Sequence, residues 1–550
     1  MEQSYKYSPE MVLHRGTRWA REDEMKKRLH LIQLTEEGKL PGAGLPVISN
    51  GTDIYADTSE EHNLIIGGSG CGKTRRVILP MLEMYRRAEE SVVVTDPKGE
   101  LYDATADAFG KAGYKVYVAN LRTPGRSNGW NPLALARTYT NSGDQERATA
   151  AVNDFAAAFI PEKPMARVDP FWTQTSRAML QGLANMIVEN PQIFSDEEVN
   201  LHTLRMLSEH LELDPPYGEK STFDLLEYYP SDSIARSNLY AIKRGSEKTF
   251  DNIRVSYDAP LQSLYLQTSL VDMLSRQEID FNDLGCHKTI LYLIIPDEKS
   301  TLNTVATLMI KSCYEQLIAL AKASQGNRLP LRVNFLLDEF ANLPQIPDVA
   351  SMLSAGRSRN IRFFLVVQGL YQLSSRYGEY DAQTIKGNCN WIFFTSRELP
   401  LLQEISALCG SDSLTGEPLI SVSQLQRLRK ERGEALMLIG REYPFIAHLP
   451  DISRYHLTGS RRRRPLPSAH RTKCKSPAFE EVLKRAERKP HQLRSSHSTA
   501  SLPDFDDDLA DDDDYIESFF TDAEHQEAFG KLLKDLISPQ PSSAQSQTSA

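Results

Sequence analysis

The sequence has no long hydrophobic run. Its longest apolar stretches, Thr289–Ile295 and Phe363–Val367, have the length of a buried strand, whereas a helix that crosses a bilayer needs roughly 18 or more apolar residues. Residues 1–60 are polar, and the first 20 residues have no apolar centre of the kind that a secretory signal requires. We therefore expect a cytoplasmic protein that carries no membrane anchor of its own.

Cysteine is scarce and is scattered along the chain. Six cysteines occur in 550 residues, with no Cys-x-x-Cys pair and no histidine pair at metal-binding spacing. This pattern excludes a zinc-finger or disulfide-rich class of protein and favours a reducing compartment. Because 40% of the residues are hydrophobic, the chain can bury several cores, and we expect a large soluble enzyme.

A glycine-rich segment follows the apolar run 64–66. Its residues are Gly67, Gly68, Ser69, Gly70, Cys71, Gly72, Lys73 and Thr74. They match the phosphate-loop pattern G-x-x-x-x-G-K-T, in which backbone N–H groups and the lysine bind phosphates and the threonine hydroxyl holds Mg²⁺. The segment predicts a nucleoside triphosphatase. The alternative, a glycine-rich turn that binds nothing, is less favoured because a strand and a helix flank the segment.

An acidic pair follows the apolar strand 331–337. This strand ends in Asp338 and Glu339. We expect Asp338 to hold the Mg²⁺ shell and Glu339 to orient or deprotonate the attacking water. The alternative is an acidic pair at a helix N-terminus, stabilised by the helix dipole.

Two further apolar strands, 91–95 and 361–367, end at Asp96 and Gln368. In a doubly wound sheet the ligand lies outside the carboxyl ends of the strands. We therefore predict an α/β fold in which Asp96, Asp338 and Gln368 surround the phosphate loop. Gln368 would sense the terminal phosphate or its water, although a polar residue at a strand end is often only capped by backbone.

The chain divides by composition into five parts. We expect an N-terminal segment at 1–45, two parts of a nucleotide-binding domain at 46–150 and 285–457, an inserted all-α domain at 151–284, and a mostly disordered tail at 458–550. The insertion is predicted to be helical because long stretches of it carry apolar residues at helical spacing.

The tail separates its charges into blocks. A basic stretch runs from Arg461 to Arg494 and an acidic one from Asp504 to Asp514, a pattern typical of disordered segments. The basic block could bind nucleic-acid phosphates or anionic lipid, or pair with the acidic block. Apolar residues between Tyr515 and Ile537 predict a short C-terminal helix, which either docks another protein or folds back on its own subunit.

Several of these segments together resemble the TraG/TraD-like coupling proteins of type IV secretion and conjugation systems. The resemblance covers about residues 12–457 and is carried by the phosphate loop, His14–Ala20, Asp96–Leu101, Trp130–Leu133, Phe171–Trp172, Asp338–Phe340 and Gln368. The phosphate loop is shared with many families, whereas the Asp-Pro-Lys-Gly-Glu and Asn-Pro-Leu segments at these positions are specific.

The resemblance implies a RecA-like ATPase that binds ATP and Mg²⁺ and forms a homo-hexameric ring. Such a ring hands single-stranded DNA and its bound relaxase to a channel built from type IV secretion ATPases and inner-membrane subunits. Arg357 matches the arginine that acts on the neighbouring subunit's site, with Arg359 as the alternative; both could instead face solvent or DNA. The later cluster Arg427–Arg432 is a further candidate for lining a DNA pore, unless it is a solvated helix face.

Typical members of this family begin with transmembrane helices, which we do not expect here. The resemblance then implies recruitment to the cytoplasmic face of the inner membrane by a partner, or by a separate membrane anchor protein. Two other functions remain open at this stage. One is a cytoplasmic RecA-like DNA translocase or helicase in repair or segregation, and the other is an adaptor that docks protein substrates.

Overall fold

The computed structural model describes residues 17–34, 38–161, 170–296, 302–412, 415–455, 463–467 and 474–488. The chain divides into two compact units. The first is Met1–Trp130 with Glu278–His470, and the second is Asn131–Gln277 with Arg471–Ala550. The helix expected between Tyr515 and Ile537, and the acidic block before it, lie outside the described residues.

The strands that the structure describes all belong to the first unit. They are β1 (His30–Gln33), β2 (Leu45–Ser49), β3 (Asp53–Asp57), β4 (His62–Ile66), β5 (Ser91–Thr95), β6 (Lys115–Asn120), β7 (Thr289–Ile294), β8 (Val333–Leu337), β9 (Ile361–Val367), β10 (Cys389–Phe393), β11 (Glu434–Leu438) and β12 (Phe445–His448).

The helices belong to both units. They are α1 (Glu22–Arg28), α2 (Leu79–Ala88), α3 (Glu100–Lys111), α4 (Ala134–Asn141), α5 (Gln145–Phe159), α6 (Pro170–Glu189), α7 (Leu201–Glu209), α8 (Thr222–Leu225), α9 (Ile234–Lys243), α10 (Glu247–Tyr265), α11 (Thr268–Met273), α12 (Asn282–Cys286), α13 (Asn303–Ala323), α14 (Val349–Gly356), α15 (Leu370–Gly387), α16 (Leu399–Cys409), α17 (Val422–Leu425) and α18 (Phe479–Glu487). Short 3₁₀ turns occupy Pro124–Arg126, Asp196–Glu198, Leu226–Tyr228, Gln325–Asn327, Phe340–Asn342, Arg357–Arg359, Lys430–Arg432 and Ile452–Arg454, and Thr74–Ile78 is a π-helix.

A large sheet organises the first unit, in the order β12-β11-β10-β4-β9-β8-β5-β7-β6. Its strands run parallel from β10 to β6, while β11 and β12 are antiparallel. Strands β4, β5, β8 and β9 are buried along their whole length, which explains why the sequence reads there as continuous apolar runs rather than alternating ones. The predicted α/β fold with a parallel sheet is confirmed.

The amino ends of the central strands are joined by a buried ion pair. The Arg362 guanidinium, only 1% exposed, donates to Glu90 Oε2 at 2.8 Å and to Asn334 Oδ1 at 2.8 Å. It also donates to the carbonyl oxygen of Ala43 at 2.9 Å. Ala43 lies just before β2 of the small antiparallel sheet β1-β3-β2. Because each buried charge has its partners, this network can exist inside the core without a large penalty.

The second unit is helical in the residues that the structure describes. Its first segment begins at Asn131, before the boundary of 151 expected from the sequence, and ends at Gln277. This segment therefore includes α4 and the whole of α5. None of the helices described in either unit is both long enough and apolar enough to cross a bilayer.

Part of the expected tail is ordered and belongs to this second unit. Phe479, Val482 and Ala486 are buried along one face of α18, and Arg485 Nη1 pairs with Glu198 Oε2 at 2.8 Å. Within the tail that the sequence predicts to be mostly disordered, Phe479–Glu487 therefore forms a packed helix. Its apolar residues recur at helical spacing, a short signal that the surrounding basic residues obscured.

Candidate nucleotide-binding site

The loop at residues 67–74 is fixed to the strands on both sides of β4. The Gly67 N–H donates to the carbonyl oxygen of Val367 at 3.1 Å, and the Gly68 N–H donates to that of Thr395 at 3.1 Å. Gly72 has a φ of 106°, a conformation that residues with a side chain rarely adopt. The local backbone therefore requires glycine for a geometric reason, independent of any ligand.

Lys73 and Thr74 continue from the loop into the helical segment that leads to α2. Lys73 Nζ donates to the carbonyl oxygen of Gly67, and at 3.4 Å to that of Gly68, so the ammonium group lies over the loop. Thr74 opens the π-helix. The helix N-terminus and the lysine together give this edge of the sheet a positive potential suited to phosphates.

Two carboxylates face this positive edge. Asp338 follows β8 and Asp96 follows β5, and burial raises the pKa of each to about 6. The Lys73 ammonium lowers the pKa of Asp338, whereas the neighbouring Glu339 raises it. Glu339 itself has a left-handed backbone with φ 52°, and its Oε2 accepts a hydrogen bond from Asn342 Nδ2 at 2.6 Å.

These groups surround a cavity of about 490 Å³, within the range of small-ligand sites. Its wall includes the predicted residues Ser69, Gly70, Cys71, Gly72, Lys73, Thr74, Asp338, Glu339 and Gln368. Gly67 and Gly68 are not in the wall and instead attach the loop to neighbouring strands, as described above. The structure thus brings together the phosphate loop, the acidic pair and Gln368 at one edge of the sheet.

Arg357 lies elsewhere. Its Nη1 pairs with Glu61 Oε2 at 2.7 Å, and its side chain is 50% exposed. Glu61 precedes β4, whereas the phosphate loop follows this strand, so the two sites lie at opposite ends of the same strand. Arg359 is close by and donates to the carbonyl oxygen of Ala355 at 3.4 Å. Neither arginine is in the wall of the cavity, and a role for either at a neighbouring subunit's site stays a prediction.

The structure adds residues that the sequence did not assign to this site. Arg75 forms a two-pronged pair with Asp451, with Nε–Oδ2 at 2.7 Å and Nη2–Oδ1 at 2.5 Å, and this pairing holds the pKa of Asp451 well below its usual range. Arg76 donates to the carbonyl oxygens of Lys430 at 2.9 Å and of Leu449. Arg75, Arg76, Lys430 and Asp451 all line the cavity. The sequence carries no signal for Asp451. It offers Lys430 as part of a cluster that either lines a DNA pore or is a solvated helix face.

The residues around Asp338 fit a magnesium ion that arrives with phosphate. Mg²⁺ prefers oxygen ligands and usually takes one or two carboxylates beside phosphate oxygens. The Thr74 hydroxyl and the Asp338 carboxylate share the cavity wall, and the buried Asp96 Oδ1 has no hydrogen-bond partner. Within the described ranges, no three His, Cys, Asp or Glu side chains form a group that could hold a metal by themselves.

The chain matches a family model described as type IV secretory system conjugative DNA transfer, over residues 18–424. It is 25% identical over 396 residues to the protein VirD4 of Rhizobium rhizogenes, covering 68% of this chain and 53% of that protein. It is 22% identical over 432 residues to the conjugal transfer protein TraG of Escherichia coli, covering 74% of this chain and 66% of that protein. The chain thus spans about half the length of the VirD4 relative.

Solved structures of a plasmid coupling protein, TrwB, share the fold. The structure in complex with a non-hydrolysable ATP analogue has a TM-score of 0.57 at 16% identity, covering 83% of this chain and 97% of that chain. The structure in complex with ADP and Mg²⁺ has a TM-score of 0.56 at 17% identity, with the same coverage. This likeness confirms the RecA-like fold that the sequence predicted.

Proposed function

Since the chain belongs to the type IV secretory system conjugative DNA transfer family, we propose that it is a coupling ATPase. It recruits relaxase-bound single-stranded DNA, and protein substrates where these are present, to a type IV secretion channel and drives their transfer by ATP hydrolysis. The observation that supports this proposal most is the convergence of the phosphate loop, Asp338, Glu339 and Gln368 on one cavity.

The phosphate loop, the acidic pair and Gln368 each have a role in the proposed hydrolysis. The loop N–H groups and Lys73 bind the phosphates, and Thr74 and Asp338 hold Mg²⁺. The bound ion would neutralise charge on the terminal phosphates. Glu339, kept in place by Asn342, orients or deprotonates the attacking water. Gln368 contacts the terminal phosphate or its water and so senses whether the phosphate is present.

We further propose that the ring is a homo-hexamer in which Arg357 serves the site of the next subunit. The half-exposed Arg357 lies at the amino edge of the sheet, away from its own cavity. An arginine supplied from outside can raise the hydrolysis rate by roughly 10³–10⁵ in triphosphatases that use one. The ion pair between Arg357 and Glu61 would have to open before Arg357 could reach the neighbouring subunit's site.

The partners follow from the family rather than from any described contact. We propose single-stranded DNA with its relaxase, the type IV channel ATPases and the inner-membrane subunits. The protein would act at the cytoplasmic face of the inner membrane, held there by one of these subunits or by a separate anchor protein. Relatives named VirD4 and TraG support the coupling role.

The test is ATP hydrolysis by the purified chain with and without single-stranded DNA, with the mass of the species recorded in each condition. Lys73→Ala should abolish turnover by removing the phosphate-binding cation, and Arg357→Ala should abolish it by removing the trans arginine. Arg359→Ala tests the alternative trans arginine. It removes a neighbouring cation and should leave turnover close to wild type, whereas loss of turnover in this variant alone would assign the role to Arg359.

Mixing the two inactive variants distinguishes a trans arginine from a local one. A mixed ring contains interfaces that pair an intact Lys73 with an intact Arg357, so part of the activity should return. No recovery in a mixed hexamer would refute the trans role. If the protein is a monomer whose ATP hydrolysis rate does not change with DNA, the DNA-pump proposal is refuted. Co-purification with repair factors instead of a relaxase would favour a repair translocase.

A further inference from the structure

Asp96 lies beside Asp338, yet none of the roles above requires it. Thr95 faces Leu337 across the parallel pair β5–β8, so the next residues on these strands, Asp96 and Asp338, are neighbours at about the inter-strand spacing of 4.8 Å. Thr95 Oγ1 donates to the carbonyl oxygen of Asp338 at 2.8 Å, which fixes the two strand ends to each other. Both side chains belong to the wall of the nucleotide cavity.

The two oxygens of the Asp96 carboxylate differ in their hydrogen bonding. Oδ2 accepts a hydrogen bond from the Tyr102 N–H at 2.8 Å, in the first turn of α3, and thereby caps that helix. Oδ1 is buried and has no hydrogen-bond partner. The residue as a whole is 1% exposed, so water does not compensate the second oxygen.

Helix capping alone does not explain a carboxylate at this position. An asparagine oxygen caps a helix N-terminus about as well as an aspartate oxygen and would bring no charge into the interior. Burial without a paired cation disfavours the ionised form of this carboxylate. Among the residues with described placement, no lysine or arginine forms an ion pair with Asp96. A costly charge beside Asp338 points to a ligand that needs it.

We propose that Asp96 is a second acidic residue of the magnesium subsite and acts there, beside Asp338, through its unpartnered Oδ1. This inference rests on the proposed function, because the ion arrives with the nucleotide. Mg²⁺ retains several water molecules when it binds proteins, and carboxylates outside its direct ligands orient such molecules. Two adjacent carboxylates opposite the phosphate loop supply the oxygen-rich surface that this requires.

The test measures how much Mg²⁺ the full-length protein needs to bind a fluorescent, non-hydrolysable ATP analogue. Asp96→Asn keeps an oxygen for the Tyr102 N–H but removes the charge, and Asp96→Ser is a second variant with a single oxygen. Asp338→Asn is the positive control. Asp103→Asn, on the same helix α3 but outside the cavity wall, is the matched negative control. The melting temperature of each variant is recorded.

We expect Asp96→Asn and Asp96→Ser to raise the half-saturating Mg²⁺ concentration roughly ten- to a hundredfold, the range seen for residues that support metal ligands. Binding of the analogue in EDTA and the melting temperature should not fall. An unchanged Mg²⁺ requirement in both variants would overturn the inference, whether or not the melting temperature changes, and would leave Asp96 as a helix cap. If the wild-type protein shows no Mg²⁺-dependent binding, the proposed function fails and this inference fails with it.

Discussion

His62 is buried at the start of β4, the strand that ends in the phosphate loop. Its Nδ1 accepts a hydrogen bond from the Phe363 N–H at 3.0 Å, and its Nε2 lies 2.7 Å from the carbonyl oxygen of Leu353. Nδ1 must be unprotonated to accept, so the ring is neutral with its proton on Nε2. Burial, together with the charges of Arg357 and Arg362, lowers the pKa of His62 to about 4, although the hydrogen bond to Leu353 raises it. We predict that His62 makes this unit sensitive to acid.

The sign and size of the effect follow from proton linkage. In the unfolded chain His62 takes up a proton below its ordinary pKa of 6.5, whereas in the folded chain it does so only below about 4. The unfolded state therefore binds more protons in this window, so stability is complete above pH 6.5 and decreases as the pH falls toward 4. The loss reaches about 2 kcal/mol at pH 5 and about 3.4 kcal/mol below pH 4.

The assay is denaturant unfolding of the wild type and His62→Gln between pH 7.5 and pH 5. The variant should be less stable at pH 7.5, because glutamine does not fill the space of the ring, but it should lose about 2 kcal/mol less on acidification. His287→Gln is the control, since the His287 side chain is 62% exposed. Parallel pH profiles for wild type and His62→Gln would refute the argument that a buried neutral imidazole sets the acid sensitivity.

Three further predictions test separate parts of the chain. Gly72→Ala should abolish nucleotide binding without unfolding the protein, because the backbone φ at this position is 106°. Gly68→Ala should retain binding in the same nucleotide-binding assay, because no atom lies within 4 Å of the added carbon. Equal loss of binding in both variants would contradict this prediction. Glu90→Gln should lower the free energy of unfolding by about 3 kcal/mol by leaving Arg362 buried without its anion, and a change below about 0.5 kcal/mol, typical of surface sites, would contradict it. Phe479→Ala should destabilise the helical unit by about 3 kcal/mol in denaturant unfolding, since the ring is 4% exposed; no change would show that α18 does not support that unit.

The centre of the site could be predicted from the sequence because it depends on strand ends. The phosphate loop, Asp96, Asp338 and Gln368 each follow a short apolar run, and parallel strands place their carboxyl ends at the same edge of a sheet. Once the runs were identified as parallel strands, the convergence required no knowledge of side-chain packing. The roles of individual residues within the cavity stay predictions.

The periphery of the site could not be predicted because its contacts join distant parts of the chain. Arg75 and Asp451 are 376 positions apart, and no local pattern connects them. Arg362 lies inside an apolar strand, and the sequence does not show why a charged residue is tolerated there. The reason is its contact with Glu90, which is distant in the chain. Helix α18 was not predicted because it lies within a strongly basic stretch of sequence. It is held by contacts such as that of Arg485 with Glu198, which form only in the folded unit.

The position of Arg357 follows from topology and constrains how the proposed ring could work. Residues that connect α14 to β9 enter β9 at its amino end, and in a parallel sheet all amino ends lie opposite the edge that carries the phosphate loop. Arg357 belongs to this connection, so its own cavity lies beyond the length of β4, about 16 Å for five residues. An arginine side chain that is paired with Glu61 cannot span that distance. If Arg357 contacts a bound nucleotide, it must therefore do so in another subunit's cavity, and the mixed-variant experiment tests this geometric argument directly.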